Sequence, residues 1–320
     1  MEKHSDSVHL SIVVPLYNEQ ESVDALVARI AKAAPDFGYS FELILVDDGS
    51  TDKTWVKILA LGHSMPQLRG IKFKRNFGQT AAMVAGIEYS KGKVIVTMDG
   101  DLQNDPADIP KLLEKMKQGY DIVSGWRKDR KDHWSRVLPS KIANVVISWT
   151  TGVKLHDYGC SLKAYRAACI RSIQAYGEMH RFFPALVSMT GARITEIPVR
   201  HYPRQHGISK YGFNRIFKVF SDIIAINLII KFSSLPLKGF AVISIPFLLL
   251  SLFLGGTAVL GGMLGWSAGK PMFFLLSSAL SATAVIHLLV LGILAELIVG
   301  TSDLQHTHLP EVTMKSLLEE

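Results

Sequence analysis

VIVTMDGDLQNDP, residues 94–106, decides how the chain is read. Val94 to Met98 is an apolar, β-branched run that suits a buried strand. It delivers Asp99-Gly100-Asp101 at its end, with Gln103 two residues further on. An Asp-x-Asp triplet alone is weak, because Asp and Gly also favour plain turns. The strand-end position adds weight: Gly100 permits a tight backbone path and Gln103 adds a neutral oxygen. Hard cations such as Mg2+ or Mn2+ take carboxylate and amide oxygens and leave positions open for substrate phosphates. A departing diphosphate needs its growing charge neutralised, and a bridging cation does that.

The flanks repeat the pattern. Val8 to Leu16 and Phe41 to Asp47 read as buried strands, Ile71 to Lys74 as a short one, and Val23, Leu26, Val27 and Ile30 recur at helical spacing between them. A helix carrying Val84 and Ile87 follows the third strand. Beyond Pro106 the pattern turns more helical, with strands near Asp121 to Ser124 and Arg193 to Val199. Alternating strands and helices predict an α/β fold with a Rossmann-like, mostly parallel sheet, whose ligands bind beyond the strand carboxyl ends. Tyr17-Asn18-Glu19, Asp47-Asp48 and Asp99-Gly100-Asp101 all fall at such ends. Three strands sending polar groups to one edge indicate a site. Asp47 and Asp48 also have a plainer reading, as caps of the helix after Thr51.

The 320 residues are 48% hydrophobic, and the excess lies near the end. Gly239 to Gly269 and Pro271 to Ala295 carry no charge, each longer than the roughly 20 residues that span a bilayer. Two transmembrane helices are expected, about 235–266 and 272–299, with a turn at Gly269-Lys270-Pro271. Before them, Phe213, Ile216, Phe217, Phe220, Ile223 and Ile224 form one stripe opposed by Asn214, Arg215, Lys218, Ser221 and Asp222. This predicts an amphipathic juxtamembrane helix over 209–232 in the membrane interface. Residues 1–208 form the catalytic domain in this reading and 301–320 a tail. The start shows no signal-peptide core, and Arg215, Lys218, Lys231 and Lys238 precede the first span. The expectation is an integral protein of the inner or plasma membrane, with catalytic domain and both termini cytosolic. Cys160 and Cys169 are read as reduced core thiols. The Gly255-Gly256 and Gly261-Gly262 pairs fit close helix packing and leave a homo-oligomer through the transmembrane helices open. His287 and Glu296 suit a helix–helix or oligomer contact rather than catalysis.

The net charge of +7 is concentrated. Arg127 to Lys141 holds six Lys or Arg against Asp129 and Asp132; Ile197 to Phe220 holds five and no acid. Such patches suit anionic lipid or phosphorylated substrates beside a membrane. No nucleic-acid-binding motif accompanies them.

Six motifs then carry a resemblance: VVPLYNE (13–19), LVDDGSTD (45–52), RNFGQTAA (75–82), MDGDLQNDP (98–106), DYGCSLKAYR (157–166) and RQHGISKYG (204–212). In this order the chain resembles family 2 glycosyltransferases of GT-A fold, and within them polyprenyl-phosphate glycosyltransferases. The resemblance implies that Pro15, Tyr17, Glu19, Asp47 and Asp48 line the nucleotide pocket, with Lys74 and Gln79 on the same rim. It implies that Asp99, Asp101 and Gln103 hold Mg2+ or Mn2+ and, through it, the nucleotide-sugar diphosphate. Arg127, Arg136, Ser140 and Lys141 are placed on phosphates, the last three on that of the lipid. Asp157 falls beside the reacting sugar, and Arg204 and Lys210 close over both phosphates. Asp157, Asp101 and Arg204 are thus the catalytic candidates.

The chemistry agrees with that layout. A polyprenyl phosphate has a second pKa of about 6 and is mostly dianionic at neutral pH, so it attacks without first losing a proton. Asp157 is then a base, an orienter of a basic residue, or a stabiliser of positive charge on the sugar. The harder task is bringing two anions together, which needs fixed cations. The expected reaction moves a hexose, glucose from UDP-glucose, to undecaprenyl phosphate with inversion at the anomeric carbon. Mannosyl or N-acetylhexosaminyl transfer and a dolichyl acceptor are the alternatives. A processive synthase fits poorly, lacking further spans and a Gln-x-x-Arg-Trp motif. A non-catalytic nucleotide-binding scaffold would not need both the acidic run and Asp157.

Overall fold

The computed structural model describes residues 8–128, 151–171, 179–188, 190–203 and 236–301, together with 144, 145, 147, 148, 173 and 177. Arg136, Ser140, Lys141, Arg204, Lys210, the 209–232 segment and the tail beyond 301 lie outside the described residues. The chain divides into two compact units, Met1–Ile226 and Asn227–Glu320.

In the first unit, strand β1 (Leu10–Leu16) leads to helix α1 (Val23–Ala33), and β2 (Phe41–Asp47) to α2 (Thr54–Ser64). Then come β3 (Leu68–Lys72), α3 (Gln79–Glu88), β4 (Val94–Thr97), α4 (Ile109–Lys117) and β5 (Ile122–Trp126). Strand β6 (Lys163–Arg166), the short helices α5 (Ala167–Arg171) and α6 (Phe183–Ser188), and β7 (Ile194–Pro198) complete it. The seven strands order as β3-β2-β1-β4-β6-β5-β7. All neighbours are parallel except β6, which runs antiparallel to β4 and β5.

β1 and β2 are apolar on both faces because both are covered, as a parallel sheet requires. Ile12, Val14, Leu43 and Leu45 join one core with Leu26 and Ile30 of α1 and Leu112 of α4. On the other face α3 lies so close that a Cβ on Gly86 would stand 2.3 Å from Val13 Cγ1 and 3.2 Å from Val46 Cγ2. β2 and β3 lie to one side of β1 and β4 to the other, which opens a crevice beyond the β1 and β4 carboxyl ends.

Three sequence expectations shift. β3 spans Leu68–Lys72, earlier than predicted, so Lys74 lies in the loop beyond it. As an edge strand it buries only Leu68 among its five residues, which weakens its apolar signal. β6, Lys-Ala-Tyr-Arg, was not foreseen as a strand. Neither Asp47 nor Asp48 caps α2: Asp52 Oδ1 accepts the Thr54 amide at 2.9 Å and its hydroxyl at 2.6 Å.

The second unit is a hairpin of α7 (Pro236–Met263) and α8 (Gly269–Thr301), both long and apolar enough to cross a membrane. Most of their apolar side chains face outward. Ser251 Oγ donates to Ser278 O at 3.0 Å, and Ser278 Oγ returns a bond to Ser251 O at 2.8 Å. Near the open end Glu296 accepts the Leu237 amide at 3.0 Å, satisfying one N–H of the first turn of α7. Residues 264–268 link the helices, so the turn precedes Lys270-Pro271, and Pro271 instead occupies the first turn of α8, where its missing N–H costs nothing. Of the glycine pairs, Gly255 meets Ser278 and Gly261 lies under the Trp266 ring, while Gly256 and Gly262 face open space.

Asp108 is fully buried and accepts from the Arg200 amide (2.7 Å), the Arg200 guanidinium (3.2 Å) and Lys111 Nζ (2.7 Å), joining α4 to the segment after β7. Burial raises its pKa, but these donors outweigh that and lower it. Its ionised form therefore contributes stability that is full above its unfolded pKa and is lost as pH falls through the lower folded value. Asp108→Asn should reduce stability by about 1–3 kcal/mol at pH 7. That deficit, read from urea midpoints, should shrink as the pH approaches the carboxylate range.

Gly49 closes β2 with φ +70°, and a Cβ there would stand 2.3 Å from the Arg75 carbonyl carbon. Gly49→Ala should therefore lose at least about 2 kcal/mol, since the conformation alone disfavours a side chain by about 1–2 kcal/mol and the neighbour is backbone. Thermal unfolding reads it directly.

Candidate active site

The acidic run leaves β4 under tight control. The Met98 amide still bonds Val13 O at 3.2 Å, and the Asp99 amide donates to Ser161 Oγ at 3.2 Å. Asn104 Nδ2 donates to the same hydroxyl at 2.7 Å. Leu102 sits at φ +63°, a rare conformation for a branched side chain that places it in the core. Gly100 packs against Leu16, where a Cβ would stand 2.2 Å from Leu16 Cδ2. The turn is thus pressed onto the end of β1. Asn18, in the loop after that strand, is also left-handed, at φ +54°. Two such residues flanking one crevice are stored strain of the sort that collects at ligand sites.

Gln79, the first residue of α3, donates Nε2 to Asp99 Oδ1 at 2.7 Å, which joins the rim residue to the acidic run. Burial raises the Asp99 pKa to about 6, and the Asp101 charge adds to that; Ser161, Arg127 and Arg181 pull the other way. Asp101 is buried, and its Oδ1 accepts the Gln103 amide at 3.2 Å. Gln103 Nε2 donates to Tyr202 O at 3.3 Å, and the Tyr202 amide returns a bond to Gln103 O at 2.9 Å. Among the described residues no three His, Cys, Asp or Glu side chains form a metal cage. The run is a two-carboxylate site.

Within electrostatic reach of Asp99 stands an Arg–carboxylate pair. Arg127 directs Nε to Asp157 Oδ2 at 2.7 Å and Nη2 to Oδ1 at 2.9 Å, a bidentate fork. The Gly159 amide adds a bond to Oδ1 at 3.1 Å. Burial opposes the Arg127 charge, but the Asp157 carboxylate outweighs it and holds the guanidinium protonated. Both oxygens of Asp157 are thereby engaged. Of the three roles open to it from sequence, the geometry favours orienting a basic residue.

The nucleotide-side candidates separate. Asp47 Oδ1 accepts the Ser50 amide at 3.0 Å, and its Oδ2 is buried with no hydrogen-bond partner. Asp48 is spent on the loop after β3, accepting from Phe77 N (2.7 Å), Gly78 N (2.9 Å) and Asn76 Nδ2 (3.0 Å). Burial raises its pKa, those amides lower it, and the Asp47 charge raises it further. Glu19 accepts the Ser22 hydroxyl, and its amide donates to Thr54 Oγ1 at 2.9 Å. Pro15 lies within β1, Tyr17 just beyond it, and Lys74 is exposed. Of the basic run, Arg127 and Lys128 are described, and Lys128 Nζ lies over the Trp126 ring.

Ser161, Asn104, Lys163 and the Thr80–His180 pair were not singled out from sequence. Thr80 Oγ1 and His180 Nδ1 are 2.8 Å apart, which ties the turn bearing Arg181 to α3 beside Gln79. Ser161, Asn104 and Lys163 do lie inside quoted motifs, but only the fold shows what they touch.

Comparison with known proteins agrees with this geometry. Residues 11–173 match the family described as Glycosyl transferase family 2. A dodecaprenyl-phosphate galacturonate synthase of Rhizobium johnstonii is 44% identical over 305 residues, 92% of this chain and 89% of that protein. An undecaprenyl-phosphate 4-deoxy-4-formamido-L-arabinose transferase of Aeromonas hydrophila is 36% identical over 296 residues, 92% of this chain and 90% of that protein. Among solved structures, glucosyl-3-phosphoglycerate synthase of Mycobacterium tuberculosis, in complex with Mg2+ and uridine diphosphate, shares the fold. Its TM-score is 0.53 at 18% identity, covering 69% of this chain and 78% of that one. The chain belongs to glycosyl transferase family 2 and is a glycosyltransferase of GT-A fold.

Proposed function

We propose that the chain transfers one sugar from a nucleotide-sugar to a polyprenyl phosphate at a membrane surface. The observation that carries this is the acidic pair Asp99–Asp101 within electrostatic reach of the Arg127–Asp157 fork, in a chain whose two relatives above are named for polyprenyl-phosphate-linked sugars. Neither name contains glucose, so the glucosyl expectation has no support from them. We favour a uronic acid, galacturonate, following the 44% identical relative. A formamido-arabinose donor is the second reading, following the other.

Asp99, Asp101 and Gln103 would hold Mg2+ or Mn2+. The fit rests on the donor set: two carboxylates two residues apart at one strand end, Asp101 buried and Asp99 half-buried, repel each other, and a divalent cation relieves them. When bound, the cation would neutralise the departing diphosphate. The chain's own residues do the rest. Gln79 orients Asp99, and Asp157 holds the Arg127 guanidinium ready for an anion. Arg136, Ser140, Lys141, Arg204 and Lys210 would complete the cationic lining. In support, the chain at Tyr202 is paired to Gln103, and the sequence continues through Pro203 into Arg204. A dianionic acceptor needs no base, in keeping with Asp157 being engaged by Arg127. Attack in a single displacement would invert the anomeric centre. Residues 1–208 would be the catalytic domain and 209–232 an interfacial helix. α7 and α8 would anchor the chain, with both termini cytosolic.

The test is to incubate the full-length protein in detergent with undecaprenyl phosphate, Mg2+ and labelled UDP-galacturonate, UDP-glucose or UDP-4-deoxy-4-formamido-L-arabinose. Lipid-linked label is expected from UDP-galacturonate, with inverted configuration by NMR; no label from any donor would sink the reading. Asp101→Ala should lower turnover by at least about 100-fold, in line with losing one electrostatic partner of the transition state. Its melting temperature should change little, and wild-type rates would remove Asp101 from the mechanism.

A further inference from the structure

Lys163 is 2% exposed, on the strand that runs against the direction of its neighbours. A lysine is almost never fully buried unless its charge is matched. Its register explains where the side chain is placed. Lys163 pairs with Thr97 of β4, two residues before Asp99, and with Ser124 of β5, three before Arg127. It therefore stands between the strand that delivers the acidic run and the strand that delivers the arginine.

Its ammonium donates to Tyr158 O at 3.0 Å. Tyr158 follows Asp157 directly and is itself locked, its hydroxyl bonded to Val153 O at 2.6 Å. The turn from Asp157 to Leu162 is pinned elsewhere too: Thr97 Oγ1 donates to Ser161 O at 2.9 Å and the Gly125 amide to Leu162 O at 2.9 Å. A Cβ on Gly159 would stand 3.0 Å from Arg127 Nη2, so the turn is moulded to the guanidinium. Burial, with the Arg127 charge adding to it, lowers the Lys163 pKa to about 8, against the Asp157 and Asp99 carboxylates. The ammonium is thus a second buried cation under the site.

We propose that Lys163 is a positioning residue for sugar transfer: through the Tyr158 carbonyl it holds the turn that carries Asp157, and so fixes the Arg127 guanidinium at the donor site. It touches neither substrate nor metal. The inference rests on the transferase reading of that site and adds a residue to it. A small displacement of a catalytic group lowers turnover far more than it lowers stability. The role therefore predicts a loss in kcat that the melting temperature does not share.

The experiment measures kcat, donor KM and thermal unfolding with UDP-galacturonate and undecaprenyl phosphate for the wild type, Lys163→Met, Lys163→Arg, Asp157→Asn and the Lys163→Met/Asp157→Asn pair. Lys163→Met should lose about 100-fold in kcat, with donor KM within about 3-fold. Lys163→Arg, which keeps a charged donor, should recover most of it. The double variant should be no slower than Asp157→Asn alone, because both act through one guanidinium. Wild-type kcat in Lys163→Met, or losses that simply add, overturn the inference. If Lys163→Met does not fold, Lys163→Gln decides in its place: a folded, slow enzyme supports the role and a fast one overturns it. A wild type silent with every donor brings down the transferase reading itself, whereas an active wild type with an equally active Lys163→Met brings down this inference alone.

Discussion

Two carboxylates leave the end of one buried strand two residues apart, and the structure around them is arranged to tolerate their repulsion. Asp99 is pushed toward neutrality by burial and by Asp101. A like-charged pair in low dielectric either takes up a proton or finds a cation. The fold supplies cations around them. The Arg127 fork is already committed to Asp157, and Lys163 lies beneath the same turn. Arg181 is tied in through the His180–Thr80 contact. Arg127 and Arg181 both favour the ionised form of Asp99, against its burial and the Asp101 charge.

Much of the fold was legible because parallel strands buried on both faces write themselves as uninterrupted apolar runs. β1, β2 and β4 were found that way, and each ended on the polar cluster expected of it. β6 was missed for the opposite reason. Lys-Ala-Tyr-Arg has no apolar run, and it is a strand only because β4 and β5 flank it and Lys163 finds the Tyr158 carbonyl. A buried lysine is a tertiary fact that no periodicity announces.

The site shows the same boundary between local and distant information. Asp99, Asp101 and Asp157 could be picked out by motif, since residue type and order carry the signal. What each does could not. Asp47 and Asp48 look equivalent in sequence, yet successive side chains at a strand end face opposite ways. One stays with its own turn at Ser50 and the other is drawn into the loop after β3. Asp157 stood open between base, orienter and stabiliser of charge on the sugar until the bidentate contact, 30 residues away along the chain, favoured the second.

That pairing bears on how two anions can be joined at all. A base is needed when the attacking group must lose a proton, and a phosphate dianion has none to lose at neutral pH. The scarce resource in such a reaction is positive charge held still, because a mobile side chain would have to be ordered at the moment of attack. An arginine engaged on two donors by a carboxylate is ordered in advance, and still presents further N–H groups of its five. The carboxylate reduces the net charge it helps to position, which is why a further buried cation beneath the same turn is physically useful. Read this way, β6 is more than a strand that completes the sheet. Its reversed direction is what brings Lys163 from the far side of the turn back under the fork.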